Sequence, residues 1–431
     1  MRKDLVYVIV GSALPAIGNF IAVVFALRYI DATLLGRSYA LLALFFVAID
    51  AFNFGSARLL SVTSIRERFP SLLFLDGLSA LGSTVLLVVG AAILSRNGAV
   101  ALPHFMPMLL LAPIGYAMSH SALGYLRLNS GNGAICVIST ISALSRCAVI
   151  GWVVTNPGWS AYLPDLLLMV EGTYGAMLLI AYLALRRPVE HSMPTHVGFS
   201  AFANLARLSG KELLSSWYSN AIFSGAKHAD VIVASMLLGP AGAALYRGAK
   251  SIHNLAFNLG QALALVLHSK THVWLSKLTE SKRRLSMPVA IRAGGLLTAL
   301  FVVWAIAAVC AYKIRLFPTA ALGTASVQCL FLFLIFAGAT FMFACRMTSL
   351  TVFSIDKRSF VMLSTMEVAT SLGLLSCLCV LYGVVGAALS VVIACACVLG
   401  LSLVVIWLTL DANAAGVRTE RYSISNSTVN L

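Results

Sequence analysis

The chain has 431 residues, of which 60% are apolar and only 10% charged, with a formal net charge of +15. A soluble domain carries roughly a quarter charged residues, and a chain this apolar has too little polar surface to cover itself in water. A soluble enzyme, a nucleic-acid-binding domain and a disordered scaffold are thereby excluded, which leaves an integral membrane protein. The surplus of Lys and Arg then reads as loops held on the cytoplasmic side and not as a nucleic-acid site.

A membrane-crossing helix needs about 20 mostly apolar residues. Runs bounded by charge, Pro or Gly predict twelve spans, over 5–30, 38–63, 72–95, 101–126, 134–155, 160–185, 212–237, 241–267, 288–312, 324–349, 360–381 and 385–410. Continuous apolar runs such as Leu296–Cys310 exclude a β-barrel, whose strands alternate. The basic start Met1-Arg-Lys-Asp leads into a run too long for a cleavable signal core, so it reads as a retained first span. With the N-terminus inside, the inner segments carry twenty Lys and Arg, Arg346 among them. The outer segments carry five: Arg28, Arg37, Arg96, Lys313 and Arg315. That bias places both termini in the cytoplasm.

The predicted organisation is two six-helix lobes, 1–185 and 212–410, joined by a polar connection over 186–211 and followed by a polar cytoplasmic tail, 411–431. The lobes share a trace of repetition. Leu34-Leu35-Gly36 precedes Ala51-Phe-Asn-Phe-Gly55, and Leu237-Leu238-Gly239 precedes Ala256-Phe-Asn-Leu-Gly260, as duplicated halves would leave behind. All nine cysteines fall in predicted spans and read as small packing residues. No metal or cofactor is expected. Gly210-Lys211 lacks the rest of a phosphate loop, and no nucleophile-elbow or zinc-helix spacing occurs, so covalent catalysis and ATP hydrolysis are not expected.

What remains are the ionisable residues inside spans, which are costly in lipid and face a cavity or a partner. In span 8, Arg247, Ser251, Asn254, Asn258, Gln261 and His268 follow steps of three and four beside Lys250, which gives one polar stripe. It reads as the lining of a water-filled path, against the alternative of polar glue between helices. Lys227 and Asp230 on span 7 fit a self-neutralising pair or a site equally. Ser139, Ser142 and Arg146 share a face of span 5, where a mid-span Arg suggests an anion contact. Asp50 with Asn53, Glu171 with Tyr174 and Glu367 with Ser371 are candidate proton or cation sites, or hydrogen-bonded structural acids. His120 reads as structural, and Asp76 and Arg292 as side chains that snorkel to the inner surface.

Gly11-Ser-Ala-Leu-Pro15, Phe25-Ala-Leu-Arg28 and Leu35-Gly36-Arg-Ser-Tyr39 are similar to the opening of Wzx-type oligosaccharide flippases. Asp230-Val-Ile-Val-Ala-Ser-Met-Leu-Leu-Gly239, followed by Gly242, Tyr246 and Ala249, resembles their helix 7–8 signature. The resemblance implies the multidrug/oligosaccharidyl-lipid/polysaccharide exporter superfamily. It implies two lobes rocking around a central cavity that moves undecaprenyl-pyrophosphate-linked oligosaccharide across the bacterial inner membrane, for O-antigen or exopolysaccharide. Arg146, Lys227, Arg247 and Lys250 would then hold the pyrophosphate, with Asn254 and Asn258 beside them. Asp50, Glu171, Asp230 and Glu367 would be available for ion or proton coupling. Expected partners are the lipid-linked substrate, membrane lipids, and the polymerase and glycosyltransferases of the pathway. A cation-coupled multidrug exporter of the same fold and a membrane-embedded polymerase are the rival readings. The absence of an acid in span 1 beyond Asp4 weighs against the first, and short outer connections against the second.

Overall fold

A computed structural model describes residues 2–56, 69–129, 131–185, 199–268, 288–318, 322–355 and 357–414. Every regular element among them is helical. In chain order these are α1 (Arg2–Tyr29), α2 (Ala32–Phe52), α3 (Phe69–Arg96), α4 (Met108–Ala117), α5 (His120–Leu128) and α6 (Asn132–Thr155). A 3-10 turn over Pro157–Tyr162 leads to α7 (Leu163–Leu185), α8 (Phe199–His268), α9 (Pro288–Lys313), α10 (Ala325–Ile355) and α11 (Lys357–Ala414).

α8 has 70 residues and α11 has 58, far more than the 30 Å or so of hydrocarbon that a helix must cross. Each folds back on itself. Gly239, at a φ of 71°, stands before Pro240 within α8, and Gly383, at 60°, interrupts α11. Glycine adopts this left-handed backbone without steric cost. In α8 the reversal is proved by Lys250 and Tyr246 meeting Asp230, 20 and 16 residues earlier. In a straight helix a separation of 20 residues would be about 30 Å. Among the described residues, seven helices are long and apolar enough to cross a membrane, the folded-back α8 and α11 among them, and α1 and α9 carry shorter apolar stretches.

Several boundaries differ from the sequence reading. α2 begins at Ala32, because the Asp31 carboxylate accepts the Leu34 N–H at 2.8 Å and caps the helix six residues early. It ends at Phe52, where the Asn53 carboxamide accepts the Gly55 N–H at 2.8 Å and closes a turn. The fourth span starts at 108 and not at 101. Asp165, 8% exposed, accepts the N–H groups of His104 and Phe105 at 2.9 and 2.8 Å and holds residues 97–107 as a further outer connection. α8 begins at Phe199, so helix occupies half of the connection assigned to 186–211; residues 186–198 lie outside the described residues, as does most of the tail after 414.

α2 occupies the interior. Two thirds of its span is buried (67%), against 28% to 44% for the other candidate spans. Leu35, Leu41, Phe45 and Ile49 are fully enclosed, whereas Leu81, Val85 and Val380 project outward as lipid-facing side chains. α2 packs most extensively against α8, and α10 against α11 and α8. At the outer end, α2 and the bend of α8 touch backbone to backbone: a Cβ on Gly36 would overlap the Pro240 carbonyl. The two Leu-Gly turns of the sequence repeat thus meet each other, one helical and one in the bend. The cysteines are all free. Cys379 and Cys395 are buried, and Cys377 and Cys397 are exposed, as residues two apart on a helix must be.

Candidate functional site: charged pairs along the α2–α8 seam

Of the side chains singled out in spans 5 to 8, Arg146, Glu171, Asp230, Arg247 and Lys250 come together where α2, α6, α7 and α8 meet. Arg146 of α6 faces Glu171 of α7, with guanidinium nitrogen and carboxylate oxygen 2.6 Å apart and Glu171 only 2% exposed. The anion that a mid-span arginine requires is therefore the chain's own carboxylate. Asp230, on the first limb of α8, is bound by the Lys250 ammonium and by the Tyr246 hydroxyl at 2.6 Å, both from the second limb. Of the two readings of span 7, a self-neutralising pair or a site, the described residues add only that Lys250 is an ion-pair partner of Asp230. The Lys227 side chain lies outside the described residues. Two buried ion pairs result, one on each side of the seam. Pairing is what makes such charges tolerable in a low-dielectric interior.

Arg247 is different. It is 7% exposed, lies 5.5 Å above the Tyr39 ring of α2, and makes no ion pair among the described residues. Arg146, Glu171 and Asp230 are close enough to act on it electrostatically. Among these five charged side chains, the two pairs are internally neutral and Arg247 is the one cation without an ion-pair partner among the described residues. Tyr39, a residue the charge inventory passed over, provides the aromatic face on which that guanidinium rests.

On the α10–α11 side of α8, a cavity of about 60 Å³ offers room for a few waters. Asp230, Lys250, Asn254 and Glu367 line it, and the second carboxylate oxygen of Asp230 has no protein partner. Glu367 and Asn254 thus join the Asp230 pair. Asn258 and Asp50 are half-buried and stand apart from this cavity, while Gln261 and His268 lie among side chains not described. Arg346, counted as an inner-loop cation from sequence, is instead buried in α10 at 7% exposure and lies 4.5 Å over the Phe257 ring.

Asp76 does not snorkel. At 2% exposure it accepts the Ser56 hydroxyl and the Ser121 N–H, each at 2.7 Å, so it satisfies an amide at the start of α5. His120 places Nε2 3.4 Å from the Asn53 carboxamide, and its ring meets Tyr116 edge-on at 5.9 Å. Phe46 of α2 stacks on His228 of α8 at 4.7 Å. Trp217 of α8 donates to the Ala51 carbonyl at 2.8 Å near the inner end of the seam. The Arg292 side chain is not among those described. No group of three or more His, Cys, Asp or Glu in the described residues is placed to hold a metal ion.

No family model matches the chain, and no curated protein matches it in sequence. The likeness lies in the fold. An inward-facing multidrug resistance MATE family transporter of the MOP superfamily superposes with a TM-score of 0.63 at 13% identity, over 96% of this chain and 99% of that one. The lipid II flippase MurJ in an inward closed conformation gives 0.59 at 13%, over 94% and 90%. A MOP superfamily transporter from Pyrococcus furiosus, described as having a binding pocket of reversed polarity, gives 0.57 at 12%, over 95% of each chain. The chain therefore has the fold of the MOP-superfamily transporters, an all-helical, multi-pass membrane architecture. Among the three, one is named a multidrug resistance transporter, one a lipid II flippase, and one is distinguished by the reversed polarity of its binding pocket.

Proposed function

We propose that this chain is a flippase of the bacterial inner membrane that moves undecaprenyl-pyrophosphate-linked oligosaccharide outward by alternating access, for O-antigen or exopolysaccharide assembly. The carrying observation is Arg247: a buried guanidinium on the central seam with an aromatic rest and no carboxylate of its own. A pyrophosphate supplies the bidentate oxygens that such a fork binds. Arg146 and Lys250 stand beside it as paired cations, able to share charge with the ligand when their carboxylates rotate. Asn254 extends the polar lining on α8, and Lys227 and Asn258 are the further candidates on that helix. The two six-helix lobes of 1–185 and 212–410 would rock about the α2–α8 seam, opening the site to each side in turn. The polymerase and glycosyltransferases of the same pathway are the proposed partners.

The test is export of polymer in a strain that depends on this chain. Arg247→Ala, inserted in the membrane at parental level, is expected to lower export at least tenfold, and Arg247→Lys to restore part of it. Full export by Arg247→Ala would reject the pyrophosphate-holding role. A second reading, a cation-coupled exporter of the same fold, draws on Glu367 facing the cavity beside the open oxygen of Asp230. It requires that Glu367→Gln abolish transport driven by an ion gradient, whereas the flippase reading expects that variant to keep potential-driven flipping.

A further inference from the structure

Three of the five Lys and Arg residues that the sequence places on the outer face converge on one pocket. Arg28 stands in the last turn of α1, Lys313 ends α9, and Arg315 follows in the turn toward α10. The pocket measures about 680 Å³, the size of a small-molecule site. Tyr312 and Gln328 add polar groups to its wall, no carboxylate lines it, and none of the three cations makes an ion pair among the described residues.

Arg315 supplies an independent observation. Its φ of 49° makes it the one non-glycine residue in the left-handed region among the described residues. Its N–H donates to the Tyr312 carbonyl at 3.0 Å, and the Leu316 N–H donates to Ala311 at 2.9 Å. That pattern ends helices on glycine, which adopts the required backbone freely. An arginine holds this position against the local preference, and an outlier of that kind points to use of the side chain. Compensation of the helix dipole does not account for it, since Lys313 already ends the same helix with a cation.

We propose that these residues form a phosphate-binding pocket at the outer membrane surface, which takes the headgroup of an anionic lipid in the outer leaflet. Two guanidinium forks and an ammonium match phosphate oxygens, and the pocket lies where a headgroup would sit. A phospholipid and a flipped polyprenyl pyrophosphate present the same chemistry. The site also reports conformation. Leu27 and Phe317 close around Gly248, where a Cβ would lie 2.5 and 3.0 Å from them, directly beneath Arg28 and the α9–α10 turn. Withdrawal of α1 from that turn would split the ligand set, so an occupied pocket favours the arrangement closed on the outer side. This holds whatever substrate the central seam carries.

Native mass spectrometry of the full chain in detergent tests it with three probes: phosphatidylglycerol, undecaprenyl pyrophosphate and inorganic pyrophosphate. The parent is expected to retain at least one probe tenfold better than the Arg28→Gln/Lys313→Gln/Arg315→Gln variant. The lipid probes or the inorganic one identify the source. Arg315→Gly, which relaxes the backbone, is expected to melt no lower than the parent yet retain the probe several-fold less. Equal retention of all three probes by parent and triple variant overturns the proposal. So does undiminished retention by Arg315→Gly. Neither outcome bears on the Arg247 export test.

Discussion

At the scale of single residues, the interior is governed by charge neutralisation. Arg146 and Glu171 stand on different helices, yet each removes the need for the other to find water. Removing one partner of a buried pair costs about 3–5 kcal/mol, while replacing both by apolar groups is often neutral. Glu171→Gln is therefore expected to lower thermal stability in detergent by about 3 kcal/mol. Arg146→Met combined with Glu171→Leu should recover most of that loss. An unchanged melting profile for the single variant would show that Arg146 has another source of neutralisation. The same logic explains why sequence spacing alone does not tell which charges pair. Asp230 has Lys227 three positions away, a spacing that fits a self-neutralising pair and a site equally. The fold-back at Gly239 offers Lys250 and Tyr246, from 20 and 16 residues further on.

At the scale of elements, glycine decides where helices turn and how closely they approach. Gly239 and Gly383 convert two very long helices into hairpins, which is why breaks near 238–240 and 382–384 were legible from hydropathy alone. The approach of α2 to α8 was not legible. Gly36 lies inside α2 as an ordinary helical residue, and only the position of the Pro240 carbonyl explains why no side chain stands there. Gly36→Leu is expected to wedge the outer ends of α2 and α8 apart and shift the chain toward an outward-open state. The measurement is reaction of a cysteine placed at Tyr39 with a membrane-impermeant maleimide, which should rise at least fivefold from the outer side. Unchanged reactivity would place the outer closure elsewhere than this contact.

At the scale of the whole molecule, the charge of the proposed substrate would set the direction of its transport, because the protein's own charges return with each cycle. In the proposed complex, Arg247 would compensate one charge of a doubly negative pyrophosphate. In the proposed flippase cycle the two substrate charges would still cross the field, since Arg247 stays with the protein. Two charges crossing the full field gain roughly 4–5 kcal/mol per 100 mV of inside-negative potential. Vesicles holding the chain in one orientation, with an imposed potential and no proton gradient, are expected to flip pyrophosphate-linked substrate faster as the potential rises. Insensitivity to the potential would mean that a counter-ion travels with the substrate, and Glu367 beside Asp230 would then be the residue to examine.

Composition, hydropathy and the Lys/Arg bias by themselves determined that the chain is a multi-pass helical membrane protein. These properties follow from the solvent: lipid demands long apolar runs with internally bonded backbones, and that demand is written locally along the chain. Tertiary structure alone decided which charges meet. Arg146 with Glu171, Lys250 with Asp230, Arg247 on Tyr39, and Arg346 drawn from a supposed loop into the interior all depend on contacts across helices. A buried charge is stabilised by whichever opposite group the packing brings within reach, and distance along the chain carries no information about that once the helices fold back on one another.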